Sequence, residues 1–158
     1  MAVEHAERAE RAHRADSARL TRSNLGFRLA KASHRWNELL AERFRGAGYG
    51  EVRPSYGSIL VPLFEEDGLR MGELAERAGL SKQTMTTMVR LLERDGLVAR
   101  TRDPGDGRAW LVSLTDRSRA FRPVAARVLA ELDALVEERL GTSELASFHR
   151  FLEEVRSL

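Results

Sequence analysis

Apolar residues recur along most of this chain at helical spacing, and the breaks in that spacing mark its elements. From 20 to 45 the stripe is Leu25, Leu29, Ala32, Trp36, Leu39, Leu40 and Phe44, with the three- and four-residue steps of one buried helix face. Gly46, Gly48 and Gly50 stop it. Pro54 suits the first turn of a second helix. Its apolar side is Tyr56, Ile59, Leu60, Leu63 and Phe64, and it closes at Asp67-Gly68. Pro62 inside this helix removes one backbone hydrogen bond and predicts a bend near Ser58.

The pattern tightens from residue 69, where two short helices with a sharp break are predicted. Leu74, Ala75 and Ala78 are the buried side of the first, Gly79 is the left-handed residue that ends it, and Leu80 is the plug into the core. Ser81 is a good N-cap for the second, which buries Met85, Met88, Val89 and Leu92 and closes at Asp95-Gly96. The period then drops to two. Leu97, Val98 and Ala99 lead into a strand through Arg102, and Trp110, Val112 and Leu114 alternate with Ala109, Leu111 and Ser113 on a return strand. The loop between them, DPGDG, has the residues of a stiff turn. Thr115-Asp116 caps a long helix. One face of it carries Phe121, Val124, Ala125, Val128, Leu132, Leu135 and Val136, with a kink expected at Pro123. Gly141-Thr142 breaks and recaps the chain, and Leu145, Phe148, Leu152 and Val155 form the last stripe. The expected fold is mostly α with a small β-hairpin: helix, helix, helix–turn–helix, hairpin, long helix, helix.

Composition narrows the class. Of 158 residues, 42% are hydrophobic and 32% charged, the balance of a soluble domain with a real core and a highly charged surface. No apolar run approaches the ~18 residues of a membrane span. The start, MAVEHAERAERAHRAD, lacks the apolar segment of a secretory signal, so a cytoplasmic location is expected. The absence of cysteine excludes disulfides, thiolate catalysis, thiol redox sensing and thiolate metal sites. Lys31 and Lys82 are the only lysines, an arginine bias that points to a GC-rich genome. Residues 1–19 are a charged extension, helical or frayed. Glu4–Arg8, Glu7–Arg11 and Glu10–Arg14 are i,i+4 pairs with the acid first, but the apolar residues beside them are almost all alanine.

The net charge is only +2, and its position matters more than its size. Residues 70–110 hold Arg70, Arg77, Lys82, Arg90, Arg94, Arg100, Arg102 and Arg108 against Glu73, Glu76, Glu93, Asp95, Asp103 and Asp106, which is the whole excess. A helix–turn–helix followed at once by a hairpin is a winged helix–turn–helix, whose second helix fits a DNA major groove. Its outward residues are Lys82, Gln83, Thr84, Thr86, Thr87 and Arg90, next to the capping Ser81. Gln pairs with adenine, Arg and Lys pair with guanine, and Thr serves as a donor or methyl contact. No acid lies between Ser81 and Leu92. On the wing, Arg102 and Arg108 are the candidate DNA contacts. Asp106 either holds the loop or pairs with the arginine, and Arg108 reaches for the minor groove. The plainer alternative is an Arg108 ion pair with Asp103 or Asp106 that only stabilises the hairpin.

The stretch ELAERAGLSKQTMTTMVRLLERDGLVARTRDPGDGRAWLVSLT resembles the core of a MarR-family (multiple antibiotic resistance regulator) transcription factor. The Asp103, Asp106 and Arg108 pattern is its most specific piece, and the resemblance covers about residues 20–156. It implies a homodimer whose first and last helices interlock, a pseudo-palindromic operator in double-stranded DNA, and often release by a small aromatic or anionic effector. The corresponding regions are a dimerisation helix at 20–50 and a reader domain at 51–114, with recognition helix 82–95 and wing 97–114. The long helix and C-terminal dimerisation helix follow at 115–158. An effector pocket is implied where the first, second and long fifth helices meet the reader, with His34, Arg35, Trp36, Tyr49 and Tyr56 as candidate lining; Trp36 also reads as a core residue. Arg70 stands where a capping Ser or Thr is usual, Ser118 replaces a frequent glycine, and Pro104 and Gly107 occupy wing positions that are often basic. The last departure implies a thinner phosphate grip.

Two-fold symmetry also argues for a dimer, because one recognition helix reads only a few base pairs and a second belongs ~34 Å along the duplex. An enzyme finds little support. His5, His13, His34 and His149 are far apart, no phosphate loop occurs, and Glu65-Glu66-Asp67 reads as a solvated helix end. No cofactor is implied. A metal-sensing regulator lacks regular ligand spacing. A helical protein-interaction module on the same scaffold, without specific DNA binding, is the remaining alternative.

Overall fold

A computed structural model of the chain describes Arg22 and residues 24–158, so the charged extension at 1–19 lies outside the described residues. Residues 1–39 and 40–158 form two units. Of the first, the described part is chiefly the start of helix α1 (Leu25–Gly46), where Leu25 and Phe27 are exposed and Leu29, Trp36 and Leu39 half-buried. The stripe predicted there is thus buried only at its far end, by Leu40 and Phe44 of the second unit.

In the second unit the chain leaves α1 through Gly48 and enters a single 3-10 turn, Pro54–Tyr56, with the proline at its start as expected. Helix α2 (Gly57–Glu65) follows, and Pro62 lies inside it without ending it. Strand β1 (Leu69–Arg70) was not anticipated, because two residues carry no readable period. Helices α3 (Met71–Arg77) and α4 (Lys82–Arg94) form the helix–turn–helix. Strands β2 (Val98–Asp103) and β3 (Asp106–Leu114) form the hairpin. The sheet is antiparallel in the order β1-β3-β2, so the hairpin is anchored at its root by Leu69 opposite Val112. Helices α5 (Asp116–Leu140) and α6 (Thr142–Arg156) complete the chain, with Pro123 inside α5.

The core gathers Tyr56, Ile59, Leu60 and Leu63 of the 3-10 turn and α2, Leu74 of α3, and Met85, Val89 and Leu92 of α4. Leu69 and Val112 close it from the sheet, with Leu97 just before β2. Leu80, expected as a core plug, is only half-buried. Gly79 has φ +62° and lets the amide of Leu80 close on the carbonyl of Ala75, five residues back. Gly96, at φ +73°, repeats the device after α4 through Leu97 and Leu92. These closures set the angle between α3 and α4 and the launch of the wing.

Three polar knots hold the scaffold. Asp67, read from sequence as part of a solvated acidic run, instead accepts hydrogen bonds from the amides of Gly68 and Leu114 and from Arg119. Partial burial opposes its charge, but the Leu114 amide and Arg119 outweigh that and hold the carboxyl below its usual range. Thr115 caps α5 through the Ser118 amide, and its hydroxyl donates to the Gly96 carbonyl. Ser118, fully buried, donates to the Thr115 carbonyl, a bond a glycine there could not make. At the α5–α6 junction the chain breaks and recaps at Gly141-Thr142, as the sequence expects. Gly141, at φ +85°, is the N-cap of α6, and the Thr142 hydroxyl turns back to Glu137.

Candidate nucleic-acid interface

The inner side of α4 is set by Met85, Val89 and Leu92, all buried. The opposite side must face solvent, and it holds Lys82, Gln83, Thr84, Thr87 and Arg90, exposed, with Thr86 half-buried. Ser81 caps the helix by accepting from the Thr84 amide at 3.2 Å, and its hydroxyl lies 2.9 Å from that of Thr84. The hydroxyls of Thr86 and Thr87 donate to the carbonyls of Lys82 and Gln83. The hydroxyl-bearing residues are therefore engaged within the helix. Among the described residues, the side chains of Lys82, Gln83 and Arg90 have no hydrogen-bond or ion-pair partner. The first turn of α4 carries no acid, so the positive end of the helix dipole is uncompensated on the side where an anion would approach.

The far end of the helix is pinned. Tyr56 is fully buried, and its phenol donates to Asp95, the C-cap of α4, at 2.5 Å. Asp95 also receives Arg94 at 2.9 Å. The Arg94 bond, then the Tyr56 bond, holds the Asp95 carboxyl below its usual range. Burial, then the bond to Asp95, pushes the Tyr56 phenol up.

The wing is built around Asp103, a largely buried carboxylate. It accepts from the Gly105 amide at 2.8 Å and from Arg70 at 2.7 Å and 2.6 Å, and these bonds, the backbone one first, hold its carboxyl below the usual range. Arg70 supplies no side-chain cap to α3. Its guanidinium ties the wing's turn to strand β1 instead, which accounts for an arginine where a capping residue is usual. Asp106 accepts from the Arg108 amide at 3.0 Å, an Asx turn that holds the loop. Of the two roles open to Asp106, the structure supplies the loop-holding one. With Asp103 and Asp106 so occupied, the Arg108 guanidinium has no partner among the described residues. Arg102 donates to the Gly107 carbonyl at 2.9 Å and lies 4.2 Å over the Trp110 ring. Arg70 and Trp110 are the two residues of this region that sequence reasoning missed. Trp110 was detectable once the loop fixed the register, which sets Arg102 opposite it.

The candidate pocket residues fall into separate sets. His34 and Arg35, on the α1 segment of the first unit, both pair with Glu38, at 3.2 and 3.0 Å, and Trp36 is half-buried beside them. In the second unit, Tyr49 packs on Phe121 at 5.1 Å with Arg117 4.0 Å over its ring. Tyr56 belongs to the Asp95 knot. Among the described residues no group of three or more His, Asp or Glu is placed to hold a metal; His5 and His13 lie outside them. Among the described residues no helix is long and apolar enough to cross a membrane.

The comparisons with known proteins agree with this geometry. The sequence model of the MarR family matches residues 54–110. The HTH-type transcriptional repressor Rv2887 of Mycobacterium tuberculosis is 38% identical over 119 residues, which span 67% of this chain and 86% of that protein. A structure described as the transcriptional repressor CouR bound to a 23-mer DNA duplex superposes with a TM-score of 0.73 at 26% identity, covering 87% of this chain and 98% of the other. The PcaV transcriptional regulator from Streptomyces coelicolor, in complex with its natural ligand, gives a TM-score of 0.71 at 25% identity, covering 85% and 93%. With a winged helix–turn–helix whose outer face is basic and unpartnered, and with these relatives, the chain belongs to the MarR family of transcriptional regulators.

Proposed function

We propose that this chain is a cytoplasmic transcriptional repressor that binds a pseudo-palindromic operator as a homodimer and is released by a small aromatic or anionic effector. The observation that carries the reading is the pair of unpartnered polar surfaces, Lys82, Gln83 and Arg90 on α4 and Arg108 on the wing, in a reader whose Arg70, Arg77, Arg94 and Arg100 are all held in ion pairs. A free guanidinium beside paired ones is what a contact to an absent anion leaves behind. Residues 51–114 are the reader, Gln83 and Arg90 read base edges in the major groove, and Arg108 enters the minor groove. Ser81, Lys82, Thr84, Thr86 and Thr87 support backbone and methyl contacts, and Arg102 adds a phosphate contact. Residues 20–50 and 115–158 supply the dimer interface.

The DNA-bound relative favours this reading over a protein-interaction module without DNA. The effector part rests on the ligand-bound relative; of the residues the sequence offers for it, His34, Arg35 and Trp36 belong to one unit and Tyr49 and Tyr56 to the other. An effector acts by binding better to a dimer whose recognition helices are not at operator spacing.

The test is selection of bound duplexes from a random library, followed by a salt titration on the selected sequence. Two half-sites about one helical turn apart are expected. Gln83→Ala should relax base preference at particular positions by about 1–3 kcal/mol, and Arg108→Ala should weaken many sequences alike. Weak binding with no enriched sequence would overturn the reading.

A further inference from the structure

We propose that Trp110 is a positioning residue for DNA recognition: its ring carries a ladder of arginines that fixes the wing tip relative to the recognition helix. The ladder runs across three elements. Glu93 on α4 receives Arg100 of β2 at 2.7 Å. The Arg100 guanidinium lies 5.6 Å from the centre of the Trp110 ring on β3. Arg102 of β2 lies 4.2 Å over the same ring and donates to the carbonyl of Gly107. Gly107 immediately precedes Arg108, the wing residue assigned to the minor groove. From α4 to the tip every step is thus a charge pair, a cation–π contact or a hydrogen bond.

The arrangement is not one that stability alone requires. Trp110 stays 37% exposed, while its neighbours on the same face, Val112 and Leu114, are buried in the core. The face of an indole is the strongest side-chain site for a guanidinium, and stacking leaves the in-plane N–H groups of Arg102 free for an acceptor. Only one of those groups is taken, by Gly107. The stack therefore holds the Arg102 guanidinium on the edge strand of the wing while its remaining donors have no partner among the described residues. It also restrains the tip, which has two glycines and whose residues 104–108 are all exposed. Arg70 and Asp103 hold the other side of the turn. Two independent restraints on one short loop orient it, where either alone would leave it free to swing.

The proposal rests on the DNA-binding reading above, and the experiment separates their failures. Trp110→Leu keeps an apolar side chain and removes the ring face; Trp110→Phe keeps a ring. Each is made in the parent and in the Arg108→Ala background, and binding to the selected operator is measured at two salt concentrations. Trp110→Leu is expected to weaken binding about tenfold and to leave Arg108→Ala with little further effect, because a mispositioned Arg108 has little left to lose. Trp110→Phe should stay within about threefold of the parent. The base preference conferred by Gln83 should be unchanged in all. Without DNA, the Arg102 Nε–H resonance should be displaced by the ring current in the parent and Trp110→Phe and should move in Trp110→Leu. Parent-like binding by Trp110→Leu, with the Arg108→Ala effect undiminished, would overturn the proposal alone. A parent with no sequence-specific duplex binding would overturn the DNA reading and the proposal with it.

Discussion

Tyr56 shows how one side chain can serve core and function together. Its ring fills the centre of the second unit, and its phenol reaches the C-cap of the recognition helix, 39 residues away in sequence. Tyr56→Phe keeps the ring and deletes one hydrogen bond to a carboxylate, so a loss of about 1–3 kcal/mol is expected in chemical denaturation near neutral pH. The pH dependence has a definite sign. The Asp95 carboxyl is depressed in the folded protein, so its contribution is fully present above the unfolded value near ~4 and is lost as pH falls through the folded one. The gap between parent and Tyr56→Phe should therefore narrow in acid. At the alkaline end the phenol is raised, so its contribution persists to about pH 10 and is lost as pH rises through the folded value. Denaturation midpoints for both proteins between pH 3 and pH 8 (a range on the order of that window) test this; a gap constant across it would mean the bond to Asp95 contributes nothing.

At the scale of elements, much of the site was legible in the sequence because local signals agreed. Gly79, Ser81 and the Asp95-Gly96 pair delimit α3 and α4 by backbone conformation and capping, which depend on a few adjacent residues. The two strands of the hairpin followed from the period-two pattern and the short loop. What escaped were side-chain pairs distant in sequence: Arg70 with Asp103, 33 residues apart, and Asp67 with Leu114, 47 apart. No periodicity encodes such pairs, since only the packed fold brings their partners together. The dimerisation stripes were visible as apolar spacing, but spacing alone cannot say whether the same chain covers them. The wing itself carries an element-scale prediction. Gly107 has no positive φ, and a Cβ built there meets nothing within 4 Å, so Gly107→Arg should fold as the parent does. One added phosphate contact per wing should steepen the fall of log affinity with log salt by about 0.9 per contact. Salt titrations of both proteins on the selected duplex check this. An unchanged slope would place the wing tip away from the phosphates.

For the whole molecule, the unpartnered apolar surface decides the assembly. On α5 and α6, Leu135, Leu140, Phe148, Phe151 and Leu152 are all exposed. Phe148 and Leu152 lie one turn apart on the last apolar stripe read from the sequence. Separately, at the start of α1, Leu25 and Phe27 are exposed. Isolated exposed apolar residues are ordinary, but a contiguous apolar stripe marks an interaction surface. In the proposed two-fold dimer this stripe is covered, and the partner supplies the second recognition helix that a palindrome needs. Phe148→Glu with Phe151→Glu should leave the helical content unchanged, since neither ring is in the core, and should shift the protein to monomer in sedimentation. The monomer then reads one half-site, and losing the linked second contact should cost on the order of 100-fold in operator affinity. Affinity for an isolated half-site should change little, because the α4 and wing surfaces are untouched. A double variant that remains dimeric with parent affinity would move the interface elsewhere on the molecule. One that is monomeric yet binds the full operator as the parent does would mean that each reader acts alone.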